Sequence, residues 1–407
     1  MLGADQFWKP PNAICHISTS ETMRLQLVLA VLAVCTQLIS QGVSSQPSDP
    51  LAIPDELAAR ADSSWFDIAS KSDHHRNGVD IYHRYVAWHN ATISTGRCKD
   101  MKIMVWVQPG QRGFADEHRN MYWAYIKAVQ RQLLFFVDVP SWLSAFTPTW
   151  GWEWRSFLKR YHDVCGLPRK RKRALRDPRV ISYVEGPDSS RITALRQYDL
   201  WAPTESQWRS LFLHPSPPVQ ALVSRNLALL GSPFVGVHIR TGAADSPNPQ
   251  PTARDIPNFA RRGFKLGDEL RFLTHAQEAQ SKLSALSQST TQAPVVVPVS
   301  SPVRVFLATD LPMLITAFEQ QLGKDVLVTT PGPVAHSKKP SSVEGLFKAF
   351  ADWFTLTHAD AAVITFNSFF GITAADGLRH HQSGAEPWRY VAIHLDEKHT
   401  GSGKQEL

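Results

Sequence analysis

The amino-terminal half of the chain contains two short apolar runs separated by a helical pattern. Residues 102–107 are mostly apolar and lead into the turn-forming residues 108–113. Apolar side chains then recur at helical spacing through residues 121–129, and residues 133–137 form a second apolar run. The order predicts a strand, a loop, a helix and a strand, which together make one βαβ unit.

The carboxyl-terminal half repeats this alternation several times. Strand-like and helix-like patterns alternate along it, with helices predicted at 218–230, 265–286, 313–322 and 343–357 and strands at 234–240, 303–308, 326–328 and 361–365. A low-complexity insertion of Ser, Thr, Gln, Pro and Val occupies residues 287–302. The pattern predicts an α/β fold with parallel sheets, in which ligands bind beyond the carboxyl ends of the strands.

Composition and charge narrow the class of protein. The chain has 407 residues, of which 43% are hydrophobic and 19% charged, a balance that excludes disordered, fibrous and collagen-like proteins. Its length suggests two or three domains. The net charge is +7, but residues 169–176 alone hold six Lys and Arg. A broad nucleic-acid-binding face is therefore not expected, and the cluster is interpreted as a solvated loop, with a localisation or binding patch as the alternative.

Both ends of the chain resemble targeting signals. Residues 23–45 combine a positive start, a short apolar core and small polar residues, which favours a cleaved signal peptide over a membrane anchor. The leader 1–22 has no assigned role. The polar tail 396–407 ends in Lys-Gln-Glu-Leu, similar to the endoplasmic reticulum retrieval signal Lys-Asp-Glu-Leu. We expect the endoplasmic reticulum lumen, with the Golgi membrane as the alternative and membrane contact only if the leader stays as an anchor.

Two further features agree with a lumenal protein. Asn90 begins an Asn-Ala-Thr sequon and is an expected glycosylation site. Cys98 and Cys165 remain as an even pair once the leader is removed, which permits a disulfide. The alternative for these cysteines is a pair of small buried side chains.

The strand at 234–240 ends in residues suited to a diphosphate. Alternation places His238 and Arg240 on one side at its carboxyl end, and Gly242 allows a close turn of the backbone. A guanidinium can hold a diphosphate through two parallel hydrogen bonds. The alternative is a structural Arg–carboxylate pair beside a satisfied histidine.

Three more strand ends carry candidate ligand-binding residues. Asp310 follows a strand and can accept the N–H groups of guanine or ribose hydroxyls, although Asp before Leu-Pro is also a good helix cap. Ser368 and Phe369 lie where a loop enters a helix, a place that suits either a phosphate or an ordinary cap. Gly113 and Phe114 belong to a strand-to-helix turn that could face a sugar.

Four tryptophans follow the first βαβ unit. Either they pack beneath a long loop or they line a groove on which acceptor sugars stack. They are Trp142, Trp150, Trp152 and Trp154.

These motifs, taken in order, resemble the fucosyltransferase superfamily, which includes α1,2-, α1,6- and protein O-fucosyltransferases. Residues 235–242 contain its His-x-Arg-x-Gly peptide, residues 306–310 are similar to its second sugar-nucleotide motif, and residues 352–371, ending in Ser-Phe-Phe-Gly, to its third. Residues 113–116 resemble its amino-terminal Gly-x-Gly-Asn/Asp turn, with Ala115 in place of the second glycine. The resemblance covers roughly residues 100–395.

The resemblance implies an inverting, metal-independent transferase with a GT-B-like fold of two facing Rossmann-like domains, here 98–215 and 216–395. GDP-β-L-fucose would be the donor, no cofactor would be needed, and a protein or glycan would be the acceptor. Arg240 would hold the diphosphate, His238 and Asp310 the guanosine, and Ser368 with the backbone of Phe369 the β-phosphate. No Asp-x-Asp motif occurs in the sequence.

The general base is where the sequence departs from the family. A Glu that α1,6-type relatives carry eight residues after the motif arginine is Asn248 here, and a Glu that precedes the first turn in one O-fucosyl type is Arg112. Asp116 is expected to shape the sugar pocket or to serve as the base, with Asp245 as the alternative base. The other possibility is that Asp116 only caps its helix and the proton leaves through phosphate or water.

Three functions therefore remain open. One is a lumenal fucosyltransferase acting on protein domains, and another is an α1,2-type enzyme acting on a glycan. The third is a catalytically silent protein that binds sugar nucleotides or glycans.

Overall fold

In the computed structural model, the described residues are 78–108, 113–140, 142–183, 205–242, 264–265, 267–289, 302–334, 342–366, 368–380 and 387–395. All of them belong to one unit, residues 53–407. The predicted leader 1–22, the signal segment 23–45, the core of the insertion 287–302 and the tail 396–407 lie outside the described residues.

The first half builds a small parallel sheet. Its elements are α1 (Gly78–Ser94), β1 (Ile103–Val107), α2 (Phe114–Gln130), β2 (Leu134–Asp138), β3 (Phe146–Pro148), α3 (Trp154–Tyr161), α4 (Arg171–Ala174), β4 (Val180–Tyr183), α5 (Glu205–Phe212) and β5 (Leu213–Pro215). Strand order is β2-β1-β4, and both pairings are parallel. The predicted βαβ unit is confirmed as β1-α2-β2.

The second half builds a parallel sheet of five strands. Its elements are α6 (Pro217–Leu230), β6 (Phe234–Ile239), α7 (Asp268–Ser289), β7 (Arg304–Thr309), α8 (Met313–Leu322), β8 (Leu327–Val328), α9 (Val343–Leu356), β9 (Ala361–Thr365), α10 (Phe369–Ala374), α11 (Asp376–His380) and β10 (Tyr390–Ile393). Strand order is β10-β9-β6-β7-β8, with every pairing parallel. The predicted α/β fold with parallel sheets is confirmed, while the cleft between facing domains stays a prediction.

The four tryptophans pack in the hydrophobic core. Trp142, Trp150, Trp152 and Trp154 are each 2% exposed or less, and the Nε1–H of Trp150 donates to the Tyr82 hydroxyl at 2.8 Å. The aromatic stretch is therefore core, and these side chains do not line a sugar-binding groove.

The structure joins Cys98 and Cys165 in a disulfide. Their Cα atoms are 5.1 Å apart, and both residues are buried. Nearby, the guanidinium of Arg179 donates to the carbonyl oxygen of Cys165 at 3.0 Å. These contacts tie the end of α1 to the segment that precedes β4.

Asn90 is a correction to the sequence-based expectation. It lies inside α1 and is 4% exposed, with its Oδ1 atom 3.4 Å from Nδ1 of the buried His89. A glycan on this amide would need space that the packed helix occupies. Glycosylation at Asn90 is therefore incompatible with this fold.

Candidate active site

The second sheet has a topological switch point between β6 and β9. From β6 the chain continues to β7 and β8 on one side, and then returns to place β9 and β10 on the other. Ligands of open α/β sheets bind beyond the carboxyl ends of the strands at such a point. The backbone N–H of Arg240, just after β6, donates to the hydroxyl oxygen of Thr365, the last residue of β9, at 2.9 Å. The His-x-Arg-x-Gly residues therefore lie at the expected edge.

The carboxylate of Asp310 organises the turn that follows β6. Its Oδ2 atom accepts from Nη1 of Arg240 at 2.6 Å and from the Gly242 N–H at 2.9 Å. Its Oδ1 atom accepts from the N–H and the hydroxyl of Thr241 at 2.8 and 2.9 Å. Gly242 has a φ of +91°, the left-handed conformation that glycine adopts without strain.

This geometry gives Asp310 a structural role. A carboxylate has about four acceptor positions, and these four hydrogen bonds take them up. Asp310 is also only 7% exposed. Asp310 therefore holds the Arg240 turn, and its expected contact with guanosine stays a prediction. The structural Arg–carboxylate pair that the sequence left open is present.

His238 is held from two directions by the helix that follows β9. Its ring stacks on Phe370, with the ring centroids 5.2 Å apart, and it is 4% exposed. A Cβ at Gly371 would lie 2.7 Å from Nδ1 of His238. Glycine at position 371 is therefore what lets α10 approach the strand closely enough to fix this ring.

Ser368 is the residue before α10, at the carboxyl edge of β9. It is 3% exposed, and its side chain makes no capping hydrogen bond to the helix. The ordinary capping role that the sequence left open is therefore not the one observed. The neighbouring Phe369 is 41% exposed, and the guanidinium carbon of Arg119 in α2 lies 5.6 Å from its ring centroid.

Phe114 is a second correction, because it belongs to the core. It is 1% exposed, and its ring lies 4.7 and 5.0 Å from the rings of Phe350 and Trp353 in α9. Phe114 therefore joins the cores of the two halves and does not contact a donor. Gly113 precedes α2 in an extended conformation with a φ of −70° and is partly exposed.

The side chains of the two candidate bases lie outside what the structure describes. Asp116 is the third residue of α2, but its side chain is outside the described atoms. Asp245 lies outside the described residues. Its assignment as a base stays a prediction, as does that of Asp116.

Sequence reasoning missed several residues that build the site. Thr241 and Thr365 supply the hydroxyls described above, and Gly371 gives room to His238. Arg209, from α5 of the first half, is 5% exposed, and its guanidinium donates to the carbonyl oxygen of Thr373 near the end of α10. Thr365 carried a usable signal, since it is a polar residue at a strand end, whereas Arg209 lies far away in sequence and carried none.

A buried ion pair lies on α9. Nζ of Lys348 is 2.6 Å from Oδ2 of Asp352, and both side chains are under a tenth exposed. Burial raises the pKa of Asp352 above its ordinary value, while the charge of Lys348 opposes that shift. The Asn226 amide of α6 donates to the Thr330 hydroxyl at 2.7 Å beside this pair.

No helix in the described part of the chain combines the length and apolar character needed to cross a membrane. In the same part of the chain, no group of three or more His, Cys, Asp or Glu has metal-binding geometry.

Comparison with known proteins returned matches among solved structures. No protein-family model matches the chain, and no curated protein matches it in sequence. It is similar to the fucosyltransferase NodZ from Bradyrhizobium, with 13% identity, 67% of this chain and 92% of that chain covered, and a TM-score of 0.39. A variant of Arabidopsis thaliana FUT1 in complex with GDP matches with 13% identity, 73% and 76% coverage and a TM-score of 0.37. POFUT1 in complex with GDP matches with 14% identity, 72% and 99% coverage and a TM-score of 0.35.

Proposed function

We propose that this protein transfers L-fucose from GDP-β-L-fucose to a hydroxyl group of an acceptor. One observation carries the proposal: the turn bearing Arg240 is fixed by Asp310 at the switch point of the five-stranded sheet, beside Thr365 and Ser368. This is where a parallel α/β sheet binds a ligand, and it is the place of the motifs that resemble those of fucosyltransferases.

Arg240 supports the chemistry through charge. In an inverting transfer, the acceptor oxygen bonds to C1 of fucose, the bond from C1 to the β-phosphate oxygen breaks, and GDP leaves with the electron pair. The leaving diphosphate gains negative charge, which a positioned guanidinium stabilises. Nη1 of Arg240 is paired with Asp310, which holds the guanidinium in place before the charge develops.

The acceptor hydroxyl must lose a proton during this step. Asp116 and Asp245 are the proposed bases, with transfer to phosphate oxygen or water as the alternative. We expect that replacing the true base by Asn lowers turnover at least about tenfold while GDP affinity is retained. If Asp116→Asn and Asp245→Asn both keep turnover within tenfold of the unsubstituted protein, neither is the base.

Residues 23–45 and the carboxyl-terminal tetrapeptide support a place for the reaction in the secretory pathway. We propose the endoplasmic reticulum lumen and a protein acceptor, hence protein O-fucosylation, with a glycan acceptor or the Golgi as alternatives. Microscopy of the full chain, with and without residues 404–407, tests the location. Retention that does not depend on these residues would contradict the retrieval role.

Donor binding and turnover test the proposed function directly. Calorimetry is expected to show that the protein binds GDP more tightly than UDP. Arg240→Lys keeps the charge but loses the planar fork, so transfer should fall at least about tenfold. Arg225→Lys, an exposed arginine on α6, is the matched control and should leave transfer unchanged. EDTA should also leave transfer intact.

Two results would contradict these assignments. Equal affinity for GDP and UDP would contradict the assignment of a GDP-linked donor. Wild-type transfer by Arg240→Lys would contradict the assignment of Arg240 to the diphosphate site. Tight GDP binding with neither transfer nor hydrolysis of GDP-fucose would favour the catalytically silent binding protein instead.

A further inference from the structure

The positive charge of the chain is concentrated on one part of the first half. Residues 153–179 contain ten Lys and Arg against three Asp and Glu, which equals the +7 of the whole chain. Most of these cations are exposed. The basic surface, as defined here, consists of the cations of α3 and of the segment around α4, namely Arg155, Lys159, Arg160, Arg169, Lys170, Arg171, Lys172, Arg173 and Arg176.

A single buried carboxylate joins the two parts of this surface. Oδ1 of Asp138 accepts from Nε of Arg155 in α3 at 3.0 Å, and Oδ2 accepts from Nε of Arg171 in α4. The Asp138 side chain is fully buried, whereas the side chains of Arg155 and Arg171 are 45% and 37% exposed. The cations of α3 and α4 therefore form one continuous surface, although these two arginines are 16 positions apart in the sequence.

The basic surface lies at the ligand-binding edge of the first sheet. Asp138 is the last residue of β2 and pairs with Val107, the last residue of β1. The N–H of Gln108 donates to the carbonyl oxygen of Asp138 at 3.3 Å, where the chain starts toward Gly113 and α2. Carboxyl ends of parallel strands are where such sheets bind ligands. The surface thus lies beside the carboxyl end of β1, after which the chain continues to the helix of Asp116.

We propose that the basic surface binds an acidic polypeptide segment, which under the proposed function belongs to the acceptor protein. Six of its nine cations are arginines, whose planar guanidinium groups match the geometry of carboxylates. Two of them, Arg155 and Arg171, already bind the carboxylate of Asp138. The exposed large apolar side chains in the described residues 153–183 are Val164 and Ile181, both aliphatic. No aromatic side chain of these residues is fully exposed, since Tyr161 and Tyr183 are half-buried and the others are buried; sugar rings and nucleobases would stack on exposed aromatic rings.

A labelled peptide of about twenty glutamates is the probe, with fluorescence anisotropy of the full chain as the measurement. The triple variant K172E/R173E/R176E reverses three exposed cations. The matched control K265E/K282E/K324E makes the same charge change at exposed lysines of the second half. We expect the first variant to bind the peptide at least about tenfold more weakly and the control to change affinity less than about twofold. Raising salt should weaken wild-type binding, because exposed charges are screened.

Three outcomes would overturn the proposal. They are no measurable binding of the glutamate peptide, equal losses in the two triple variants, and tighter binding of duplex DNA or a heparin oligosaccharide of equal charge. GDP calorimetry on the same proteins separates this proposal from the function it rests on. If the wild-type protein does not bind GDP, only the proposed transferase function is contradicted. If GDP binding is retained and K172E/R173E/R176E binds the peptide as the wild type does, only the proposed peptide binding by the basic surface is contradicted.

Discussion

Replacing Asp310 by asparagine tests whether this carboxylate holds the Arg240 turn. The carboxylate accepts four hydrogen bonds, and Arg240 and Gly242 donate to the same oxygen. An asparagine retains one oxygen and replaces the other by an NH2 group, which cannot accept. The Thr241 hydroxyl can rotate to accept from that NH2 group. The amide nitrogen is therefore expected on the Thr241 side, where the Thr241 backbone N–H loses its acceptor.

The loss of folding free energy in D310N follows from the donors that lose their acceptor. A buried N–H without a partner costs about 1–3 kcal/mol, and hydrogen bonds to a charged group contribute about 1.5–3 kcal/mol each. The asparagine also removes the charge that pairs with Arg240, whose side chain is 12% exposed. We expect D310N to lower the free energy of unfolding by about 2–4 kcal/mol. We also expect it to weaken GDP binding at least about tenfold, because the fork of Arg240 loses its fixed plane.

Urea unfolding and GDP calorimetry measure the two effects. Asp325, an exposed carboxylate just before β8, gives the matched control. D325N should change the free energy of unfolding by less than about 0.5 kcal/mol and leave GDP affinity unchanged. If D310N unfolds at the wild-type urea concentration and binds GDP with the wild-type Kd, the turn does not depend on Asp310 and its structural role is refuted.

Two further predictions concern packing and pH. Gly371→Ala places a methyl group 2.7 Å from the ring of His238, so it should destabilise the protein by about 1–3 kcal/mol and weaken GDP binding. The control Gly377→Ala, with nothing within 4 Å, should be neutral or stabilising. Equal effects of the two substitutions in thermal unfolding would contradict the close approach of α10 to His238. Burial lowers the pKa of His89 from 6.5 to about 3, so its ring stays neutral in the folded state while it gains a proton in the unfolded state as pH falls below 6.5. Stability is therefore lost on going from pH 7 to pH 5 by about 2 kcal/mol from this group alone. His89→Gln should remove that part of the loss in urea unfolding, and substitution of the exposed His214 by Gln should not.

The local sequence was sufficient to predict the β1-α2-β2 unit and most elements of the second half, whereas α1, α3 and β10 were among those it did not predict. Strand and helix patterns depend on spacings of two and of three to four residues, which are visible in the sequence itself. The same reasoning placed Arg240 and Ser368 at carboxyl ends, since Arg240 directly follows an apolar run and Ser368 lies four residues after the end of another. For the four tryptophans of residues 142–154 the sequence allowed two interpretations, core packing or a sugar-binding groove. An aromatic stretch alone does not reveal which other residues cover it.

Only the tertiary structure decided which of these residues meet. Asp310 accepts from the turn after β6 because β7 is the neighbour of β6 in the sheet, and strand order is not encoded in any local pattern. Phe114 sits in the core because α9 of the other half packs against it, a contact between residues more than two hundred positions apart. The link from Arg155 to Arg171 through Asp138 has the same origin. Periodicity specifies how each segment folds, whereas the pairing of segments is chosen by the burial and hydrogen bonding that the whole chain achieves at once.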